Sequence, residues 1–494
     1  MIRDIEKLRT GSIKSRLAFL LRDSAFYGGL SAFASMASVF LVPLYTRMFT
    51  KAEFGSYDIL SVVVMVVVPF LIMGQDSAIA RHFYETEDQA ERRALVSQSV
   101  VFQIALSLAT SCVLFFSADL LVSHLFGQPS FAHYFRVIAL SLPFVVLCRI
   151  TRNLLKWTFQ RQRFLVMTLV SVIVQFACIL GYLLLIERSI VGIFVGQLLS
   201  YAVFALLGVW YCRDFLTLPR HWHYLGRLLN YGWPFMLIAL VGALTPAVDR
   251  VFMVNVVSLE TLALYALGKK LTSLLNLPLQ GFQVAWGPFV FSIYQQADAA
   301  ATYDRVLGLY TLFMTGVSLG VVLLADPLIL VFGSGQYLGS RVVVLPLALA
   351  IVVDGISWIT GVGINLSKKT YLTTIVYAIS MSVTVAAVAL LVPPFGMVGA
   401  AWGVLLGRVA QTGVKTYLAR RVWPLRLSLG RVSLLLGVTA LLSLAFQALP
   451  NLLWAQALGG MLAGVAFLGF TWFGFLDPAE RAQVLAFGRK LRHL

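Results

Sequence analysis

Fourteen stretches of about 20 predominantly apolar residues follow one another along this chain, and no other feature constrains its fold so tightly. Each can cross a hydrocarbon layer about 30 Å thick at about 1.5 Å per helical residue. They fall near 25–46, 56–74, 94–116, 132–150, 164–186, 189–211, 230–254, 261–284, 306–325, 342–364, 371–392, 396–418, 432–449 and 454–475. The eighth is the most interrupted, by Lys269, Lys270, Pro278 and Pro288. The runs are continuous rather than alternating and far exceed a strand of about ten residues, which excludes a β-barrel. Only 12% of residues are charged, where a soluble domain carries about 25%. The expected fold is therefore an all-α polytopic membrane protein with about fourteen transmembrane helices.

Charge gives an independent check on this count. Lys and Arg outnumber Asp and Glu by 38 to 21. A lipid surface explains such basicity in an oily chain better than nucleic acid does, and no nucleic-acid partner is expected. Lys and Arg accumulate in cytoplasmic loops. With fourteen spans, 29 basic residues fall on one side, including both terminal segments and the loops around Arg92, Arg152, Arg213, Lys369 and Arg420. The other side holds Arg47, Lys51, Arg188 and Arg341. Both termini are thus expected in the cytoplasm. The apolar run after the basic N-terminus is too long for a signal-peptide core, so it is expected to be retained.

The same reading narrows the chemistry. The longest loops on the less basic side, about 116–131 and 326–341, are too short for a folded catalytic domain. There is no Walker lysine motif to bind ATP and no CxxC or His cluster to bind metal. Cys112, Cys148, Cys178 and Cys212 lie in or beside apolar runs and read as packing residues. A non-enzymatic protein without metal or cofactor is expected.

Landmarks recur at a nearly constant spacing. Arg47 matches Arg250 at 203 residues, Arg136 matches Arg341 at 205, and Arg163 matches Lys369 at 206. Tyr27 matches Tyr231 at 204, and Gly192 matches Gly396 or Gly399 at 204 or 207. These intervals divide the chain into a basic cytoplasmic N-terminal segment (1–24), an N-lobe of helices 1–6 (25–229), a C-lobe of helices 7–12 (230–425), and helices 13–14 with a cytoplasmic tail (426–494). Six is even, so both lobes start from the same side. The pseudo-symmetric lobes form a parallel repeat, an arrangement in which transporters place substrate between halves that rock.

An ionisable side chain at mid-depth costs roughly 2.5–3.5 kcal/mol on insertion scales and normally faces a cavity or a partner. The deep candidates are Arg136, Asp249, Arg250, Lys269, Lys270, Asp354 and Arg408; Arg47, Asp58, Asp76 and Arg81 lie nearer the ends. Five cations against two anions predict a net positive interior that would concentrate an anionic substrate, with Arg clamping phosphate oxygens. The expected substrate-binding set is Arg47, Arg81, Arg136, Arg250, Lys269 and Arg408. Asp249 and Asp354 are expected to serve in coupling or ion pairing. Blander readings stand beside these: Arg47, Asp58 and Asp76 could snorkel to an interface, Lys270 could point outward, and Asp249 with Arg250 could simply fix helix packing.

A family resemblance emerges at these residues. Pro43-Leu-Tyr-Thr-Arg47 followed by Glu53-Phe-Gly-x-Tyr57 resembles the opening of Wzx-type polysaccharide flippases of the multidrug/oligosaccharidyl-lipid/polysaccharide exporter superfamily. Gly74-x-Asp76-x-Ala78-x-x-Arg81, Tyr231-Gly-x-Pro234, Asp249-Arg250 and Tyr265-x-x-x-Lys269 follow in the family's order. So do Ala285-Trp-x-Pro288-Phe289, Ser367-Lys-Lys-Thr370 and Gly396-x-x-Gly399-Ala400-Ala401.

The resemblance implies a flippase of the bacterial cytoplasmic (inner) membrane. It would carry an undecaprenyl-diphosphate-linked oligosaccharide, an O-antigen or exopolysaccharide repeat unit for lipopolysaccharide or related synthesis, to the periplasmic leaflet. Alternating access through a cationic inter-lobe cavity, coupled to an ion or to the membrane potential, would drive it. Membrane lipids, a polysaccharide polymerase and a chain-length regulator would be its partners. A lipid II flippase of the same superfamily is the nearest alternative. A twelve-helix cation or drug antiporter fits a net basic interior poorly. A polytopic glycan-processing transferase lacks a loop for its catalytic groups, and a scaffold for glycan-assembly enzymes leaves the buried cations unexplained.

Overall fold

The computed structural model describes residues 29–30, 33–34 and 39–481, except 87, 127, 159, 220, 297, 368, 370, 426, 451, 477, 479 and 480. Tyr27, the N-terminal basic segment, most of the first span, Arg220, Lys368, Arg426 and the tail cations Arg489, Lys490 and Arg492 lie outside these residues.

The described chain is helical throughout. The first span ends in α1 (Val42–Met48), and the second is α2 (Lys51–Ile72). Thr50 and Glu53 form a reciprocal capping box that starts α2. After a bend, α3 (Gln75–Glu85) leads to α4 (Gln89–Phe116), the short α5 (Ala118–Phe126) and α6 (Ala132–Trp157). Next come α7 (Arg161–Leu185), α8 (Ile190–Cys212) and the long α9 (His223–Val254). The eighth span is divided into α10 (Leu259–Thr272) and α11 (Asn276–Ile293) by a 3₁₀ turn at Ser273–Leu275, where the sequence pattern is most broken. Then follow α12 (Ala299–Leu323), α13 (Ala325–Phe332), α14 (Arg341–Thr360) and α15 (Val362–Leu366). Helix α16 (Tyr371–Val422) breaks at Gly396 into two spans, and α17 (Leu429–Gln447) and α18 (Leu453–Phe470) complete the chain.

Eleven stretches among the described residues are long and apolar enough to cross a membrane. One of them is the 52-residue α16, which supplies two crossings by its break at Gly396. With the divided eighth span this makes thirteen crossings among the described residues, and the first span, most of which lies outside them, would be the fourteenth that the sequence predicts. Several boundaries move: the second span starts at Lys51, the fourth runs to Trp157 and the twelfth to Val422. Each lengthening brings charged residues onto the helix.

The repeat is visible as packing. The order α4, α5, 3₁₀ turn, α6 recurs as α12, α13, 3₁₀ turn, α14. In each copy an aspartate near the start of the short helix meets an arginine of the next span: Asp119 to Arg136 at 2.5 Å, and Asp326 to Arg341 at 3.5 Å. Small residues also repeat. A Cβ at Gly196 would lie 2.7 Å from Ile179 Cα, and one at Gly403 would lie 3.0 Å from the Val388 nitrogen. Thus α8 crosses α7, and the second arm of α16 crosses the first, at backbone contact distance. Such crossings hold helices together where lipid offers no hydrophobic drive.

The halves meet through one apolar cluster that includes Tyr45, Phe54, Ile59, Leu262, Tyr265, Tyr337 and Val343. On the side away from the Lys/Arg-rich loops, the far side, Thr46 donates a 2.8 Å hydrogen bond to the Phe332 carbonyl. A Cβ on Gly55 would lie only 2.1 Å from the Leu259 carbonyl oxygen, so α2 and α10 abut there. On the basic side, Met73 (φ 50°) and Gly74 (φ 64°) turn the chain out of α2. A Cβ at Gly74 would lie 2.1 Å from the Gly232 carbonyl oxygen, so this bend lets α9 cross at contact distance. The side-chain carbonyl of Gln98 accepts from the Tyr224 and Leu225 amides at 3.0 and 3.1 Å, capping the free N–H groups of α9.

Candidate functional site

The polar centre lies where α2, α9 and α10 meet. Asp58 is two turns into α2, and its carboxylate takes a forked contact from Arg250 of α9, Nε to Oδ2 at 2.6 Å and Nη2 to Oδ1 at 3.2 Å. Asp249, the preceding residue, turns to α10. Its Oδ2 accepts from Lys269 Nζ at 2.5 Å and from the Tyr265 hydroxyl. Tyr265 and Lys269 are four residues apart and therefore share a helix face. Asp249 is fully buried, Asp58 is 2% exposed and Arg250 is 8% exposed. Removing four such charges from water is costly unless each is paired, and here two anions balance two cations.

At this junction the charges balance, where the sequence predicts a surplus of cations. The sequence placed Asp58 near a helix end, where it could snorkel. Because α2 begins at Lys51, Asp58 lies about 10 Å along the helix and neutralises Arg250. The adjacent Asp249 and Arg250 face two different helices and join them into one network.

Arg408 and Asp354 form a second group between α14 and α16. Arg408 Nη1 lies 3.1 Å from Asp354 Oδ1 and 2.7 Å from Gln411 Oε1, and Gln411 Nε2 donates to the same Asp354 oxygen at 3.0 Å. Lys269, Asp354, Arg408 and Asn276 line a cavity of about 230 Å³. Lys269 therefore belongs to both groups.

The other expected site residues lie apart from these two groups. Arg47 donates to the Val331 carbonyl at 2.9 Å on the far side, tying α1 to α13. Arg136 sits at the far end of α6, exposed with Asp119. Arg81 is on α3, 3.0 Å from Glu85 and with its guanidinium 4.8 Å from the centre of the Tyr231 ring. Arg81 and His82 hold the Glu85 carboxyl below the usual carboxylate range.

A third group escaped the sequence reading. Arg152 and Lys156 fall beyond the fourth predicted span and so read as loop cations, but with Arg149 they lie on α6 and line a cavity of about 610 Å³ with Asp76, Asn153, Gln175 and Tyr201. The signal was their spacing of three and four residues, which puts all three on one helix face. Lys415, within the twelfth predicted span, is buried in α16 with its ammonium 5.5 Å from the centre of the Trp358 ring.

The sequence matches the family described as polysaccharide biosynthesis protein over residues 44–342, more than half its length. The chain belongs to this family. No curated protein sequence matches it significantly. The fold of this family member is similar to that of lipid II flippase MurJ in an inward closed conformation, with a TM-score of 0.72 at 14% identity, covering 90% of this chain and 98% of that one. An inward-facing multidrug resistance MATE transporter aligns with a TM-score of 0.65 at 15% identity, over 83% of this chain and 95% of that one. An outward-facing MATE transporter aligns at 0.57 and 14% identity, over 87% and 98%. The family member is thus a multi-pass membrane protein with the fold of these transporters.

Proposed function

We propose that this protein flips an undecaprenyl-diphosphate-linked oligosaccharide, a repeat unit of O-antigen or exopolysaccharide, from the cytoplasmic to the periplasmic leaflet of a bacterial inner membrane. The basic side is the cytoplasmic side, and polymerase and chain-length regulator act on the product. The observation that carries this reading is the buried chain Asp58–Arg250–Asp249–Lys269 at the crossing of the halves, in a member of a polysaccharide biosynthesis family. Arg250 and Lys269 are cations whose present counter-ions are carboxylates. A diphosphate entering from the cytoplasmic side can replace Asp58 and Asp249 as the partner of these cations, with the guanidinium binding two phosphate oxygens at once. Releasing Asp58 unties α2 from α9 beneath the contact of Gly55 with Leu259, and the far side can then open. Substrate binding and gate opening are one exchange of ion pairs in this scheme. Membrane potential, worth about 2.3 kcal/mol per charge per 100 mV, favours outward movement of the anion.

The fold likeness to MurJ favours a second reading, transport of lipid II. One experiment separates them: purified protein in liposomes, given labelled lipid-diphosphate oligosaccharide or labelled lipid II on the inner leaflet. Outward movement of the oligosaccharide lipid and little of lipid II is expected. Movement of lipid II alone would transfer the assignment, and movement of neither would overturn both.

A further inference from the structure

The cavity on α6 has a composition that the central exchange does not use. Arg149, Arg152, Asn153 and Lys156 fall within about 100° of arc, so three cations and an amide face the cavity along roughly 10 Å of helix. Tyr201 of α8 and Ser171 and Gln175 of α7 complete a polar wall. Asp76 is the only acid lining it among the described residues, and it lies 3.4 Å from Arg149. Arg152 has a buried Nε without a hydrogen-bond partner among the described residues, and Lys156 rests 5.4 Å from the centre of the Phe164 ring. Like charges one helical turn apart repel, and solvated loop cations would have no reason to converge on one concavity. The ladder begins at the basic end of α6 and climbs into the layer, where a lipid headgroup would enter.

We infer that this cavity is a separate binding site for phosphate carried on a lipid, and that it receives the diphosphate end of a prenyl lipid before the anion reaches Arg250 and Lys269. This inference rests on the flippase reading above. The two or three terminal oxygens on each phosphorus suit three convergent cationic donors, and Asn153, Gln175 and Tyr201 can satisfy the remaining lone pairs. An anionic phospholipid headgroup offers the same phosphate chemistry with one charge fewer, so its binding must be measured alongside.

The test uses the full chain in lipid nanodiscs, with farnesyl diphosphate as the soluble probe and retained phosphatidylglycerol counted by native mass spectrometry. Arg152→Gln with Lys156→Gln should weaken farnesyl diphosphate binding about tenfold or more. The charge-keeping pair Arg152→Lys with Lys156→Arg should restore most of it, and phosphatidylglycerol retention should not change. If the double variant fails to fold, as judged by its melting curve, Arg152→Gln alone carries the test. Undiminished diphosphate binding, or loss of phosphatidylglycerol alone, overturns the inference. Should the wild type bind no farnesyl diphosphate, the flippase reading falls with it. Should Arg250→Gln weaken binding while the α6 variants do not, this inference alone falls.

Discussion

The cavities of the two halves share several corresponding positions and differ in how their charges are paired. Arg149 on α6 and Asp354 on α14 are 205 residues apart, the same interval as Arg136 and Arg341, and both line their cavity. Tyr201 and Arg408 are 207 apart, as are the contact glycines Gly196 and Gly403. In the second half, Asp354 is answered by Arg408 and Gln411, and Lys269 by Asp249. In the first, three cations face one acid. A duplicated scaffold thus carries two charge patterns, one in which each of these ionic groups has an opposite partner and one in which cations outnumber the acid.

The largest effect is expected at the junction of the halves. Arg250→Ala leaves Asp58 buried without its guanidinium and should cost about 3–5 kcal/mol, measured as lowered thermal stability of the purified protein. Asp58→Asn combined with Arg250→Gln should recover most of that loss. If the double variant is no more stable than the single, the pair is not what joins α2 to α9.

A contrast between the cavities comes next. Asp354→Leu strands Arg408 and Gln411 and should cost about 1–3 kcal/mol. Arg152→Leu, which removes a cation with no acid partner among the described residues, should leave stability unchanged or raise it. Equal losses at both positions would erase the distinction drawn here.

The repeated pairs on the far side should behave alike. Arg136→Gln and Arg341→Gln each break one partly exposed ion pair and should each cost no more than about 1 kcal/mol. The smallest effect separates α3 from its counterpart α11, which carries no charged residue. Glu85 has its carboxyl pKa depressed by Arg81 and His82, so its contribution is present above the usual carboxylate pKa and is lost as pH falls through the lowered value. Amide exchange in α3 should therefore accelerate in that acid range while exchange in α11 is indifferent to Glu85.

Much of the helical fold was legible in the sequence because bilayer thickness dictates span length. The Arg136–Arg341 interval marked a repeated arginine, but not that each arginine would pair with an aspartate on a short helix. What was not legible follows from the same method. A hydropathy scan ends a span at the first cluster of charge, so cations facing a cavity look like cations in a loop. That rule ended the fourth span before Arg152 and Lys156 and started the second after Lys51, which hid the depth of Asp58. Partnership was also invisible: Asp58 and Arg250 are 192 residues apart, and only the crossing of α2 with α9 brings them together.

The central claim is that Arg250 exchanges a carboxylate for the substrate's diphosphate. The direct test is outward movement of a labelled lipid-diphosphate oligosaccharide in liposomes containing the Asp58→Asn, Arg250→Gln protein, whose hydrogen bond between uncharged groups preserves the fold. Transport at the level of empty liposomes, by a protein with near-normal thermal stability, is the predicted result. Transport at the wild-type rate would contradict the account.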